Sequence, residues 1–507
     1  MSAPDPAPHA PLSAEDAELQ ALERRLARHD RRRHLVGRVL LWALALGSLA
    51  CLLVFFRAEL TRWGRARAVQ VLAWWGDLPA AGVDLEAVHA RLLPAWLVAE
   101  AHVYRQGPDE ANRALRRLRK AVASDAILTA YVDELAGILR KPGRLRAAPK
   151  QPIDLARQWN RYLGPRGWWI EGVVRFDSSG AQFYAKSYHV DARLAVQAGA
   201  TPVTARLVAR VDNLNVIETV LGHAGPQQDG ALVLVDRMHD FALETIWPLL
   251  DPALDALQPP ISRAFAAAVR QQAMRTLPPA DFAVLQATAR HRFALEQVRL
   301  DVAERAACGS TYRLRRIDQR GLTPDQLLRV RGQAGRDGND LCPGITPNEA
   351  AQLAAASEAL HATPELAAAV AALVAWLARS VTVHEVRHVA DQLQRRGLEV
   401  RLPCDLCGAE MEVRSRAELS AYLAELAHPD GGAAALLQTC QLDLAPTLGT
   451  GLALHRLRAE LGQGVCQAPP VDLAARATAI QRRLFGHAEV IALPSDFPVR
   501  VHRHDAP

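Results

Sequence analysis

Val381-Thr-Val-His-Glu-Val-Arg-His-Val-Ala-Asp391 follows the apolar, alanine-rich residues 364–380, and both stretches predict helix, with Gly397 as the stop. On a helix His384 and His388 stand at i and i+4, so both imidazoles leave one face a single turn apart and can share one metal ion, zinc above all. Glu385 comes next, about 100° round the helix, where it can take a proton from a water at that metal. Val386, Val389, Ala390 and Leu393 stand at i, i+3, i+4 and i+7 and form the stripe such a helix buries. His384, His388 and Asp391 fall on the opposite side. Two histidines packed in a core are structural, whereas two on a polar face beside a carboxylate can line a cleft. The plain alternative is a solvated helix with two ordinary surface histidines.

With Val381 and Thr382 before the first histidine, and Val386, Val389 and Ala390 around and after the second, the run His384-Glu-Val-Arg-His388 resembles the H-E-x-x-H helix of the zincin metallopeptidases. The resemblance implies zinc as cofactor, a peptide or protein as substrate, and Glu385 as general base. Arg387 departs from the family's pattern, which keeps uncharged residues between the histidines. It lies about 60° from His384 on the side away from Glu385, and Asp391 at i+4 can turn its charge away from a metal through a salt bridge. Asp391 is otherwise placed to hold the distal N–H of a ligating histidine.

The next helix is expected over residues 416–427, where Glu418, Ala421, Tyr422 and Glu425 share one face and Leu419, Leu423 and Leu426 make the neighbouring apolar one. This arrangement resembles the glutamate zincins, whose third metal ligand is a glutamate on a helix downstream of H-E-x-x-H. The resemblance carries that role to Glu418, with Glu425 as the alternative. Ala421 leaves room for the histidine helix. Ser415-Arg-Ala-Glu418 also fits a capping box, in which Glu418 would bond back to the Ser415 N–H. Tyr422 can steady an oxyanion or simply pack, and His428 and His455 are further candidate donors to a transition state.

A chain of 507 residues is too long for one core and predicts roughly two to four domains. Hydrophobic residues make up 50% and aromatics only 5%, with many Ala, Leu and Arg, which favours helix over sheet. The net charge of +6 is modest, and no basic stripe is interleaved with aromatics, so nucleic acid is excluded as a partner. The charge is densest at Arg24, Arg25, Arg28, Arg31, Arg32 and Arg33, a cytoplasmic basic tail (1–38) in front of an apolar run, residues 39–56. Eighteen residues of helix reach about 27 Å, enough to cross a bilayer core. The bias of positive charge places the N-terminus in the cytoplasm and residues 58–507 outside it, a single-pass inner-membrane topology. A cleaved signal peptide fits less well, because no Ala-x-Ala site closes the run.

Residues 57–150 read as a helical region, with helices at 85–104 and 108–139 and a linker at 146–152. Residues 151–255 carry β-branched and aromatic runs (168–176, 182–188, 203–211 and 231–235) that predict a small antiparallel sheet, either an accessory module or the roof of a cleft. Residues 256–345 read as a helical connector broken at Pro278-Pro279, and 346–507 as the zincin-like domain. The fold class is thus α+β, mainly helical, behind one N-terminal membrane-spanning helix. Cys51 lies in the span. Cys308, Cys342, Cys404, Cys407, Cys440 and Cys466 are left as an even set for an oxidising compartment, where disulfides bracing the ligand helices are expected. The expected function is a membrane-anchored zinc peptidase acting outside the cytoplasm. The alternative is a non-catalytic envelope binding or scaffold protein with a degenerate H-E-x-x-H site.

Overall fold

The computed structural model describes residues 82–307 and 363–498, interrupted at 102, 104–106, 142, 178–179, 213–220, 225–229, 395–399, 405, 407–408, 443, 446–448 and 496. The arginine cluster, the 39–56 run, Cys51, Cys308, Cys342, Cys407 and the expected stop at Gly397 lie outside the described residues. All the described residues fall within one compact unit, Leu78–Pro507. Within its described part the structure is α+β and mainly helical.

Four of the sheet's strands grow from the four runs rich in β-branched and aromatic residues: β1 (Trp168–Asp177), β2 (Gly180–Ala198), β3 (Thr201–Arg210) and β5 (Ala231–Leu234). β4 (Gly222–Ala224) and β6 (Ile491–Ala492) are too short to show a period in the sequence. The order is β1-β2-β3-β5-β4, with β6 paired to the far end of β2. β1, β2 and β3 form an antiparallel meander, but β5 runs parallel to β3 and β4 returns antiparallel along the free side of β5. The sheet is therefore mixed rather than purely antiparallel, because the chain leaves β3, forms the edge strand first and only then fills the gap beside β3.

Both faces of the sheet are covered, which is why β5 reads as an unbroken apolar run, Ala-Leu-Val-Leu. Leu194, Val196, Val203, Leu207 and Val233 point into the main core, which they share with Val370, Leu373, Val374, Val383 and Val386 of the long helix Pro364–Gln394. Trp169, Tyr188, Val190, Val208, Leu232 and Leu234 close a smaller cluster on the opposite face. The N-terminal helices Leu93–Ala101 and Lys150–Leu163 pack on β2 and β1.

Two expectations in the N-terminal region change. The helix expected over 108–139 is two, Pro108–Val122 and Ala126–Leu139, because Asp125 caps the second by accepting the N–H groups of Ile127 and Leu128 at 2.9 and 3.0 Å. The linker expected at 146–152 is helical at both ends (Arg144–Ala147, then Lys150–Leu163), since Pro149 and Pro152 sit before and within a first turn, where a missing N–H costs nothing. The break before Pro279 is as expected, between Pro260–Thr276 and Pro279–Ala307.

The Pro364–Gln394 helix has the length and apolarity to cross a membrane, yet it runs through the protein core. Every residue from Val381 to Asp391 is buried, with β3, β4 and β5 on one side and the helix Val413–Ala427 on another. Leu393, expected in the buried stripe, is instead 62% exposed. The helix leaves the core after Asp391, and Gln394 anchors its end by donating to Thr201 Oγ1 at 2.7 Å. Beyond it, Cys440 and Cys466 form a disulfide that ties Gly432–Gln441 to the turn after Gly449–Leu461, and Cys404 is bridged as well.

Candidate metal centre

His384 and His388 leave their helix toward the same point, their Nε2 atoms 3.2 Å apart. Glu418 reaches that point from the Val413–Ala427 helix, with Oε2 at 3.7 Å from His384 Nε2 and 3.8 Å from His388 Nε2. Four ligands at the 2.0–2.2 Å of a tetrahedral zinc site stand roughly 3.3–3.6 Å from one another. The histidine pair has that spacing, and Glu418 is within a few tenths of an ångström of it. Two imidazoles and a carboxylate are a donor set for a divalent metal, and among the described residues His384, His388 and Glu418 are the group so arranged.

The capping-box role for Glu418 is excluded by where the helix begins. It starts at Val413, three residues earlier than expected, with Glu412 at the N-cap position. Glu412 Oε1 accepts from Ser415 Oγ at 3.1 Å and from the Gly449 N–H at 2.6 Å. Ser415 thus lies inside the first turn rather than at the N-cap, and Glu418, in the second, turns its carboxylate to His384 and His388.

Glu425, the other carboxylate on that face, is not in the donor group. Its Oε2 lies 3.2 Å from His384 Nδ1, while Oε1 accepts from Ser380 Oγ at 2.7 Å. Glu425 therefore stands behind His384 in the position that orients a metal-binding imidazole, the role expected for Asp391. Asp391 is drawn off by Arg387, as the i to i+4 spacing allowed: the two are ion-paired and both are buried. Ser420 Oγ at 3.2 Å, Glu489 Oε2 at 3.6 Å and the His487 ring complete the surroundings of the guanidinium. Removing one partner from such a pair costs about 3–5 kcal/mol, so Asp391 serves the site by keeping Arg387 compensated. Tyr422 packs its ring edge-on against His384, centroids 4.5 Å apart. His428 is turned to Asp430 (3.5 Å) and His455 is exposed, so neither belongs to the donor group.

The charges explain why a cation suits this place. Burial alone would push His384 down, but the carboxylates of Glu418 and Glu425, helped by Glu385, lift it to about 10, so without metal it carries a proton. Burial also works against ionised Glu418, yet His384, His388 and Arg414 bring it down to about 2. Burial and the neighbouring His384 charge push His388 down to about 4, leaving it neutral, with a lone pair facing His384 Nε2. A proton on His384 thus offsets a carboxylate-rich cluster, and metal uptake must expel it. Glu385, buried, is pushed up to about 7 by desolvation, with His384 and His223 pulling the other way. That is near the value a general base needs at neutral pH.

The edge strand leaves no signal in the sequence. β4 lies against the histidine helix, with Gly222 facing Glu385. His223, next along, turns to the other face, where its Nε2 is 3.8 Å from Glu171 Oε2, an oxygen that also accepts from Lys186 Nζ at 3.2 Å and from the Tyr188 hydroxyl at 3.1 Å. A three-residue strand with one glycine has no periodicity to read. Set against known protein families, curated proteins and solved structures, the chain matches none.

Proposed function

We propose that this chain is a zinc-dependent peptidase, anchored in the inner membrane by residues 39–56 and acting outside the cytoplasm. The observation that carries the proposal is the convergence of His384 Nε2, His388 Nε2 and Glu418 Oε2 beside a buried carboxylate, Glu385, tuned close to neutrality. His384, His388 and Glu418 would hold the ion, and zinc there would supply a Lewis acid that lowers the pKa of a water and polarises a carbonyl. Glu385 takes the proton of the attacking water and later gives it to the leaving amine nitrogen. Glu425 fixes the ring of His384, and Arg387 keeps its charge with Asp391 rather than at the metal group.

The edge strand supports a chain-like substrate. Leu234 N–H donates to the Leu221 carbonyl at 2.9 Å, and alternation along an antiparallel pair then turns the N–H and C=O of Gly222, which faces Glu385, and of Ala224 away from β5. An extended peptide can pair with such groups. The expected result is hydrolysis of an unfolded protein such as denatured casein by the zinc-loaded chain, lost on chelation and restored by zinc. Cleavage that persists in the stripped protein would overturn the proposal, and a zinc-loaded protein inert to peptides would favour the non-catalytic envelope role.

The compartment rests on the arginines before residue 39 and fits the Cys440–Cys466 bridge, since disulfides persist in oxidising surroundings. A reporter active only outside the cytoplasm should work when fused after residue 70. Activity of a cytoplasmic reporter there instead would reverse the topology.

A further inference from the structure

We propose that Gly222 is the positioning residue for Glu385: the bare backbone of β4 is the seat of the carboxylate, and any side chain at 222 unseats it. The kinetic part of this proposal rests on the peptidase function above. A Cβ built at Gly222 would lie 2.5 Å from Glu385 Cγ, 2.6 Å from Oε1 and 2.8 Å from Cδ. All three of its nearest neighbours belong to that one side chain. Gly432 meets Gln272 in the same way, but its φ is positive at 50°, and Gly172 meets Phe183 less closely, at 2.9 Å. A Cβ at Gly230 or Gly451 would strike a backbone carbonyl at 2.1 Å, and Gly230 also has a positive φ of 128°, so those positions need glycine for the fold. Gly222 has no positive φ, so its backbone accepts an L side chain without strain. The collision with Glu385 is what remains.

The seat matters because Glu385 is held on the other side by its own helix, inside a core with little room to give. A methyl at 222 forces the carboxylate off its position, and misplacing a reacting group by about 1 Å can cost 10²-fold in rate. His384, His388 and Glu418 are not among the three atoms nearest the methyl, so metal binding should survive.

The test is a cycle of Gly222→Ala, Glu385→Ala and the double variant in the full-length, zinc-loaded protein. Gly222→Ala should keep the parental zinc content, lower kcat by about 10²-fold and leave KM within about threefold, since what is lost is a reacting group rather than substrate contact. It should lower Tm in the parent but not in Glu385→Ala, where the methyl occupies the space the carboxylate vacated. An equal Tm change in both backgrounds would overturn the proposal, and so would a parental kcat with zinc bound. If the parent hydrolyses nothing, the peptidase function fails, while the Tm cycle still decides whether Gly222 seats Glu385.

Discussion

Glu385→Gln is expected to keep the parental zinc content and to lower kcat for peptide hydrolysis by about 10²–10⁴-fold, the range a general base contributes. Glutamine has the size and shape of the glutamate it replaces, so the contact with Gly222 and the packing of the helix are kept. It has no lone pair basic enough to accept the water's proton. The buried carboxyl group, pushed up to about 7 by desolvation, is the only feature removed. Zinc content by elemental analysis and steady-state kinetics on one peptide check both halves. A parental rate in this variant would mean that the H-E-x-x-H run is not catalytic.

The second large effect separates the two glutamates of the Val413–Ala427 helix. Glu418→Gln should weaken zinc binding by more than the roughly 10–100-fold typical of losing a partner behind a ligand, whereas Glu425→Gln should fall within that range. Glu418 points an oxygen at both Nε2 atoms, and glutamine offers zinc only a neutral amide there. Glu425 approaches the far nitrogen of His384 and is shared with Ser380. Competition with a chromogenic chelator gives both affinities. The opposite ranking would exchange the two roles.

The histidine pair was legible because the helical period alone fixes which residues of one helix share a face, whereas Glu418, on another helix, came from the resemblance to the glutamate zincins. What lay across from that face was not. Asp391 has the right spacing to orient a histidine, but a charge on its own helix, Arg387, claims it, and the orienting carboxylate comes from Glu425 on a neighbour. The polar face looked like the wall of an open cleft, and packing by the sheet and by Val413–Ala427 buries it. The capping box failed because Glu412, not Ser415, stands where the helix begins. Of the sheet, the strands rich in β-branched and aromatic residues could be read, while β4, which faces Glu385, is three residues long and became a strand only by lying beside β5.

The most direct test is the metal itself. The full-length protein, purified in detergent, stripped and then equilibrated with zinc, should hold close to one ion per chain by mass spectrometry, and His388→Ala prepared in the same way should hold almost none. No zinc in the parent, or equal zinc in both proteins, would contradict the assignment of His384, His388 and Glu418 as the ligands.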